Sequence, residues 1–174
     1  DEDFVKALAA AMDVPFHVTH FDTKTYAHQQ GISTQMAARD LRYHWFEQIR
    51  QAENYDLIAV AHHHTDAIET ILLNLTRGTG IAGLHGILPK RGQLIRPLLF
   101  LSRVEIDEVV HSEKLAYVED ASNASDYYAR NKIRLHIVPQ LKAINPKIEH
   151  TFEQNINRFR ETEMVLQQVV AQHR

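Results

Sequence analysis

The spacing of apolar residues predicts two amphipathic helices near the start of the chain. Residues 4–9 carry apolar side chains at helical intervals. A longer stripe follows the cap candidate Ser33 and consists of Ala38, Leu41, Trp45, Ile49 and Ala52. Residues 14–19 alternate between apolar and polar positions, which predicts a short strand between these helices.

The middle of the chain predicts alternating strands and helices. Residues 57–61 form a continuous apolar run of strand length, typical of a parallel sheet that helices cover on both faces. After a turn region over residues 78–92 we expect an extended piece at residues 94–97, and Ser102 with Glu105 forms a capping box that opens another helix. This order predicts an α/β fold, a Rossmann-like parallel sheet with flanking helices.

The pattern becomes all-helical from residue 127, and Pro146 is expected in the first turn of the last helix. We therefore predict a sheet domain over residues 1–125. Residues 126–174 are predicted to form a helical segment and a linker helix toward a further domain.

Composition narrows the function classes. With 174 residues, 44% of them hydrophobic, the chain can bury one sizeable core. No apolar run is long enough to cross a bilayer and the acidic start is unlike a signal peptide, so we expect a cytoplasmic protein without membrane contact. The absence of cysteine excludes disulfides, thiolate zinc sites and cysteine nucleophiles in this chain. A net charge of −3 means that any nucleic-acid contact requires a local basic patch.

A histidine cluster followed by two acidic residues is the leading site candidate. His62, His63 and His64 come where the predicted strand ends, the edge at which open parallel sheets bind ligands. Asp66 and Glu69 also match the spacing of a capping box, so a plain helix start is one alternative. A zinc hydrolase is a second alternative, although no His-Glu-x-x-His occurs and neighbouring histidines on a strand point to opposite faces.

A glycine-rich turn follows this predicted helix. The turn starts at Gly78 and contains Gly-x-Gly-x-x-Gly, but it follows a helix instead of a strand, so it fails the context of a dinucleotide fingerprint. Gly78 suits a helix C-cap. Small residues let backbone approach a phosphate or base while Arg77 meets an anion. The alternative is a tight connection whose arginine faces the helix C-terminus.

A basic stretch without acidic residues runs from Tyr127 to Ile148. Arg130 and Arg134 stand one helical turn apart in it, where their guanidinium groups could clamp phosphates. Positive charge beside tyrosine is typical of an RNA-facing patch. A solvated basic face is the alternative.

Taken in this order, these segments resemble the tRNA(Ile)-lysidine synthetase family, a branch of the N-type ATP pyrophosphatases, also called PP-loop proteins. The resemblance covers nearly the whole chain and implies an adenine nucleotide alpha hydrolase-like fold. The matching stretches are Ala38-Arg39-Asp40-Leu41-Arg42-Tyr43, Ala61-His62-His63 with Asp66 and Glu69-Thr70, Arg77-Gly78-Thr79-Gly80 with Gly83-Leu84, Ile95-Arg96-Pro97-Leu98, Glu119-Asp120-Ala121-Ser122-Asn123, Arg130-Asn131-Lys132-Ile133-Arg134, and Pro139-Gln140-Leu141.

The resemblance implies a two-step reaction with ATP and Mg²⁺. The carbonyl oxygen of a wobble cytidine attacks the α-phosphate of ATP and releases pyrophosphate, and free lysine then displaces AMP. The implied partners are tRNA(Ile) with a CAU anticodon and free lysine, and a homodimer is left open.

The resemblance also implies roles for individual residues. Asp66 and Glu69 hold the ammonium groups of lysine and Arg42 its carboxylate, and Asp66 is also a candidate Mg²⁺ ligand. His62 lies at the cytosine and ATP side, and Arg77 with Gly78 lies near the ATP phosphates. Asp66, His62 and Arg77 are the implied catalytic residues. Arg130, Arg134 and Tyr127 are implied to bind tRNA.

The chain departs from the family pattern at several points. Members carry a Ser-Gly-Gly-x-Asp-Ser loop that cradles the ATP phosphates; we expect it to precede Asp1, so these 174 residues alone are expected to be inactive. Thr65 and Ala67 stand where members often have aspartate and glutamine. Two other hypotheses remain: a base-thiolating relative, disfavoured because such enzymes use cysteine pairs, and a non-catalytic RNA-binding module.

Overall fold

A computed structural model describes residues 1–119 and 129–173. The chain divides into two compact units, Asp1–Ile58 and Ala59–Arg174. The predicted domain boundary at residue 125 lies outside the described residues and stays a prediction.

The first unit is helical, and the cap predicted for its longest helix is confirmed. Its helices are α1 (Glu2–Ala11), α2 (Thr23–Gln30) and α3 (Thr34–Ala52). Ser33 Oγ accepts a hydrogen bond from the Met36 N–H at 3.3 Å, which satisfies one of the free amides of the first turn of α3. Ala37 is fully buried, whereas Ala38 and Ala52 are exposed, so the buried stripe is shifted from the predicted one at its ends.

The strand predicted for residues 14–19 is wrong, because the structure assigns no strand to this fully described segment. Val14 and Val18 are both about half exposed, so the alternating pattern buries no face. The Val14 N–H bonds back to Ala9 O at 3.0 Å and closes the end of α1. Alternation suits a strand, but a strand also needs a neighbour for its backbone groups.

The second unit combines a small sheet with many helices. Its elements are β1 (Ile58–Ala59), which begins at the last residue of the first unit, α4 (His64–Arg77), α5 (Ile81–Leu84), β2 (Lys90–Arg91), β3 (Leu94–Ile95), α6 (Arg103–Ser112), α7 (Ala129–Lys132), a π-helical turn (Ile133–Ile137), α8 (Val138–Ile144) and α9 (Ile148–Gln172). The strand order is β1-β3-β2, and β2 and β3 pair antiparallel with Lys90 opposite Ile95.

The strand predicted over residues 57–61 is confirmed only as the short β1. The Val60 N–H donates to Ile95 O at 3.0 Å, which extends the link between β1 and β3 by one bond. Leu57 and Ala61 are exposed, so this apolar run is not covered on both faces as its composition suggested. The extended piece expected at residues 94–97 is present as β3, paired in a hairpin that we did not predict.

Helix α4 lies at the centre of the second unit. One side of it buries Ile68 against Ile133 and Val138, so it packs on the π-helical turn and the start of α8. Another side buries Ala67 and Ile71 against Ile156 of α9, and Phe152 packs against both groups. The first turn of α4 is therefore held by core packing on two sides.

Two predicted helix starts have different outcomes. The capping box of α6 is confirmed, because the Glu105 N–H donates to Ser102 Oγ at 3.2 Å and the Ser102 N–H donates to Glu105 Oε2 at 2.7 Å. The start predicted at Pro146 is wrong, because α9 begins at Ile148. Asn145 Oδ1 accepts from the Lys147 N–H at 3.0 Å, so an asparagine side-chain turn keeps the proline outside the helix. No described helix is both long and apolar enough to cross a membrane.

Candidate active site

Asp66 caps the start of α4 from inside the helix. Because α4 begins at His64, Asp66 is its third residue, and its Oδ2 accepts a hydrogen bond from the His63 N–H at 2.9 Å. His63 Nε2 lies 3.6 Å from the same oxygen. A carboxylate here also opposes the positive end of the helix dipole. The capping alternative therefore holds for Asp66, but its partner is His63 instead of Glu69.

His64 is occupied by contacts within the fold. Its backbone N–H donates to Leu101 O at 2.9 Å, and its ring Nε2 lies 2.9 Å from Glu149 O at the start of α9. Within residues 1–119 and 129–173, no three His, Asp or Glu side chains are grouped so that they could hold a metal. The contacts of His64 therefore favour a packing role over zinc binding.

Glu69 is fully buried and is held by a distant arginine. Arg134 Nε donates to Glu69 Oε1 at 2.6 Å and Arg134 Nη2 donates to Oε2 at 3.1 Å, a two-pronged ion pair. The same guanidinium lies 3.5 Å from Asp66 Oδ1. The hydrogen bonds that Arg134 donates to Glu69 raise the pKa of Arg134, although burial acts in the opposite direction. Glu69, one of the two carboxylates that we predicted to meet lysine, is thus enclosed and paired.

Arg130 completes this group through a hydroxyl. Its Nη2 donates to Thr70 Oγ1 at 2.9 Å, and its Nε lies 3.8 Å from Glu69 Oε2. Thr70 in turn donates to Asp66 O at 2.7 Å. We call Asp66, Glu69, Arg130 and Arg134 the α4 charge cluster. We predicted that Arg130 and Arg134 face RNA. In the structure, both arginines contact α4 as members of this cluster.

The α4 charge cluster leaves three of its side chains partly accessible. The side chains of Arg130 and Arg134 remain 36% and 34% exposed, and that of Asp66 remains 13% exposed, whereas Glu69 is 0% exposed. An anion can therefore reach the outer edges of the guanidinium groups, and a cation can reach Asp66. Glu69 cannot be reached without moving Arg134.

Arg77 and Gly78 lie at the opposite end of α4 from the cluster. Arg77 follows Asp66 by eleven positions, so the rise of an α-helix puts their Cα atoms about 16.5 Å apart. Gly78 is confirmed as the C-cap, with φ 76°. A Cβ at Gly86 would lie 3.1 Å from Ala67 O, so only glycine allows the following turn to pack this closely on α4.

The remaining predicted site residues are in three places. His62 is half-buried in the segment before α4. Arg42 is on α3 in the first unit, exposed, with its guanidinium carbon 5.8 Å from the Tyr43 ring centre. Tyr127 lies outside the described residues. The ligand roles of these residues, like those of Arg77 and Gly78, stay predictions.

The ion pair between Glu69 and Arg134 was missed by sequence reasoning, although a signal existed. Glu69 lies among Ala67, Ile68 and Ile71, all buried, so its position marks it as a buried charge that needs a cationic partner. The acid-free basic stretch could have supplied that partner. Sequence spacing alone does not identify which of its arginines reaches Glu69.

Comparison with curated proteins finds relatives along almost the entire chain. A tRNA(Ile)-lysidine synthase of Bacteroides thetaiotaomicron is 42% identical over 170 residues, which cover 98% of this chain and 40% of that protein. The enzyme of the same name from Parabacteroides distasonis is 43% identical over 174 residues, covering 100% and 40%. That of Bacillus subtilis is 37% identical over 171 residues, covering 96% and 36%. The chain thus spans about 40% of the length of these relatives.

A solved structure confirms the predicted fold class. The U34-tRNA thiolase NcsA from Methanococcus maripaludis, determined with its 4Fe-4S cluster, matches with a TM-score of 0.67 over 91% of this chain and 55% of that chain. At 17% identity this likeness concerns the fold alone, a Rossmann-like α/β domain with flanking helices. The PP-loop domain family matches residues 1–141. The chain therefore belongs to the PP-loop domain family.

Proposed function

We propose that the protein joins free lysine to the wobble cytidine of a tRNA(Ile) with a CAU anticodon and that it consumes ATP, whose use PP-loop membership implies. The observation that carries this proposal is the 42–43% identity to tRNA(Ile)-lysidine synthases over 98–100% of the chain. A base-thiolating activity is less well supported, because this chain contains no cysteine to carry sulfur. The reaction makes two demands on the site: negative charge must be stabilised during adenylation, and the amino acid must be held beside the activated base.

Asp66 is the carboxylate best suited to hold an ammonium group of lysine. It is partly exposed at the start of α4, whereas Glu69 is enclosed by Arg134. We therefore assign the direct contact to Asp66 and give Glu69 a positioning role, in which it fixes the guanidinium of Arg134 beside Asp66. Arg42 is proposed to meet the carboxylate of lysine.

The exposed edges of Arg130 and Arg134 are proposed to contact phosphates of the tRNA. Both guanidinium groups are anchored on α4, so they present a preorganised positive edge without losing further side-chain freedom. Tyr127 is proposed to assist there. His62 is proposed at the cytidine and Arg77 with Gly78 near the ATP phosphates, at the far end of α4.

The described donor set does not fit a magnesium centre at Asp66. Its Oδ2 accepts from the His63 N–H at 2.9 Å, and its Oδ1 lies 3.5 Å from Arg134. Magnesium needs near-octahedral oxygen ligands, and both oxygens of this carboxylate already face donors. Mg²⁺ therefore stays a prediction of the family resemblance, and no step is assigned to it here.

The proposal is tested with the Asp66→Asn variant of the full-length protein, because residues 1–174 alone are expected to be inactive. Asparagine keeps an oxygen that can cap α4 but removes the charge that would hold an ammonium group. Incorporation of radiolabelled lysine into tRNA(Ile) should fall by about tenfold to a hundredfold, the loss expected for a charged hydrogen bond. Affinity for the tRNA, measured by filter binding, should remain unchanged.

Asp107→Asn is the matched control, because Asp107 is a partly exposed aspartate of the same unit, with its side chain 46% exposed, that pairs with Arg103 on α6. It should incorporate lysine like the unchanged protein. If the unchanged full-length protein leaves no label in the RNA, the proposed reaction is wrong. A non-catalytic RNA-binding module is supported instead if tRNA binding depends on Arg130 and Arg134 while lysine incorporation is absent.

A further inference from the structure

A cavity lies on another side of α4 from the charge cluster. It has an empty volume of about 660 Å³ and is bounded by α4, the segment after β3, and α9. Much of its wall is apolar, including Ala67, Leu99 and Ile156. Phe100 also lines it while remaining 76% exposed, so an aromatic ring is accessible from solvent beside an apolar recess. Such a ring is available for stacking with a planar ligand.

Arg96 places a buried cation in the wall of this cavity. The residue is 8% exposed, and its Nη1 donates to Leu88 O at 2.6 Å. Its buried Nε has no hydrogen-bond partner among the described residues, and no described carboxylate forms an ion pair with it. A buried charge without a counter-ion is costly, so this wall is suited to an anionic ligand.

Asn157 and Arg160 add further binding groups from one face of α9, where they are three residues apart. In the parts of the chain that the structure describes, neither side chain has a hydrogen-bond or ion-pair partner. Glu153 also lines the cavity, and its Oε2 lies 3.3 Å from His150 Nδ1. The free groups are thus an amide, which can read the edge of a base, and a guanidinium, which can bind phosphate.

A neighbouring cavity shows which part of the surface suits phosphate. It shares Asn157 and Arg160 with the first cavity, but it is also lined by Glu161 and Glu163. These carboxylates repel an anion, as does that of Glu153 in the first cavity, so the positive charge of the first cavity is bounded on these sides. A phosphate is therefore best accommodated at Arg160 and toward Arg96.

We propose that this cavity, which we call the Phe100 cavity, binds an unpaired nucleotide of the substrate RNA. The base stacks on Phe100 against the apolar wall, Asn157 contacts its edge, and Arg96 with Arg160 neutralises its phosphate. Aromatic stacking combined with positive charge is how proteins commonly bind single-stranded RNA. A fatty acid would match the apolar wall and the cations but would leave the amide of Asn157 unused. The inference rests on the proposed function in one respect, that the substrate is RNA.

The test measures binding of a fluorescently labelled tRNA anticodon stem-loop to the protein. Phe100→Ala should weaken binding by about tenfold, as expected for one lost base stack, and Phe100→Tyr should restore it. Arg160→Ala should weaken binding and reduce the slope of log affinity against log salt by about one. Arg158→Ala is the matched control, because Arg158 is an exposed arginine of α9 outside both cavities, and it should change neither quantity.

The possible results separate this inference from the proposed reaction. Unchanged binding by Phe100→Ala, or equal effects of Arg158→Ala and Arg160→Ala, would overturn the inference. Displacement of the stem-loop by micromolar adenosine monophosphate would also overturn it, because the occupant would then be a free nucleotide. At saturating tRNA, Phe100→Ala should incorporate lysine at the normal kcat with a raised KM for tRNA. Stem-loop binding that depends on Phe100 in a protein that never incorporates lysine would reject the proposed reaction alone.

Discussion

Two glutamate–arginine pairs in this protein have the same geometry but different surroundings. On α3, Arg50 binds Glu47 through Nε at 2.9 Å and Nη2 at 2.8 Å, within one helix turn and in contact with solvent. In the second unit, Arg134 binds Glu69 at 2.6 Å and 3.1 Å across 65 residues of chain, and Glu69 is fully buried. The two pairs therefore have similar hydrogen-bond lengths, but removing the charge of Glu69 from water costs much more free energy than partly burying that of Glu47.

The difference shows what each pair does for the protein. The pair on α3 is partly exposed, with the Arg50 and Glu47 side chains 21% and 42% exposed, and such a pair within one helix contributes little to stability because water competes for both groups. For a buried pair, the loss of either partner leaves an uncompensated charge in the interior. The pair between Glu69 and Arg134 therefore constrains how the π-helical turn packs on α4, and it positions the guanidinium next to Asp66. The pair on α3 constrains only its own helix.

The largest expected effect comes from Arg134→Ala. It leaves the Glu69 carboxylate buried, and among the described cationic side chains only Arg130 then remains within ion-pair distance, at 3.8 Å. The free energy of unfolding, measured by urea denaturation, should fall by about 3 kcal/mol, the lower end of the range for breaking a buried pair. Arg50→Ala is the matched variant on α3 and should cause a much smaller loss.

Neutralising Glu69 tests whether its unpaired carboxylate causes the loss of stability in Arg134→Ala. If the buried carboxylate is responsible, combining Arg134→Ala with Glu69→Gln should recover part of the stability, because a neutral amide costs less to bury. Equal losses for Arg134→Ala and Arg50→Ala would show that the two pairs do not differ in the way their burial indicates.

An intermediate effect is expected for Arg130→Ala. This variant loses the hydrogen bond to Thr70 and the longer contact with Glu69 but leaves the main ion pair intact. Unfolding free energy should fall by about 1 kcal/mol, the usual contribution of one such hydrogen bond. A double-mutant cycle with Thr70→Val measures the bond directly, and a coupling energy of zero would mean that the two side chains do not interact in solution.

The smallest effect concerns the acid titration of Glu47 in the pair on α3. Hydrogen bonds from Arg50, and then from Gln51, lower the pKa of Glu47 from 4.5 to about 2. Because the folded pKa lies below the unfolded one, this pair stabilises the protein fully above pH 4.5, and its contribution is lost as the pH falls toward 2. Arg50→Ala should raise the pKa of Glu47 toward 4.5, as followed by NMR of its carboxyl carbon. Titration near 4.5 in the unchanged protein would contradict the pairing.

Sequence reasoning succeeded where the interaction partners lie within a few residues. The cap at Ser33, the capping box from Ser102 to Glu105 and the C-cap at Gly78 each depend on residue type and short spacing, and all three are present. It failed at residues 14–19, where apolar and polar residues alternate as in a strand but no neighbouring strand pairs with the segment. It also selected Asp66 and Glu69 together without separating the accessible carboxylate from the enclosed one.

The sequence by itself determined the α/β class, the main helix ends and the residue types gathered at the start of α4, because periodicity and capping act over one or two turns of chain. Only the tertiary structure decided that Arg134 and Arg130 turn toward Glu69 and Thr70, and that Arg96 lies in the wall of the Phe100 cavity with no ion-pair partner among the described residues. Those contacts join segments up to 65 residues apart. Which charge meets which partner depends on how the helices pack and on which groups that packing removes from water.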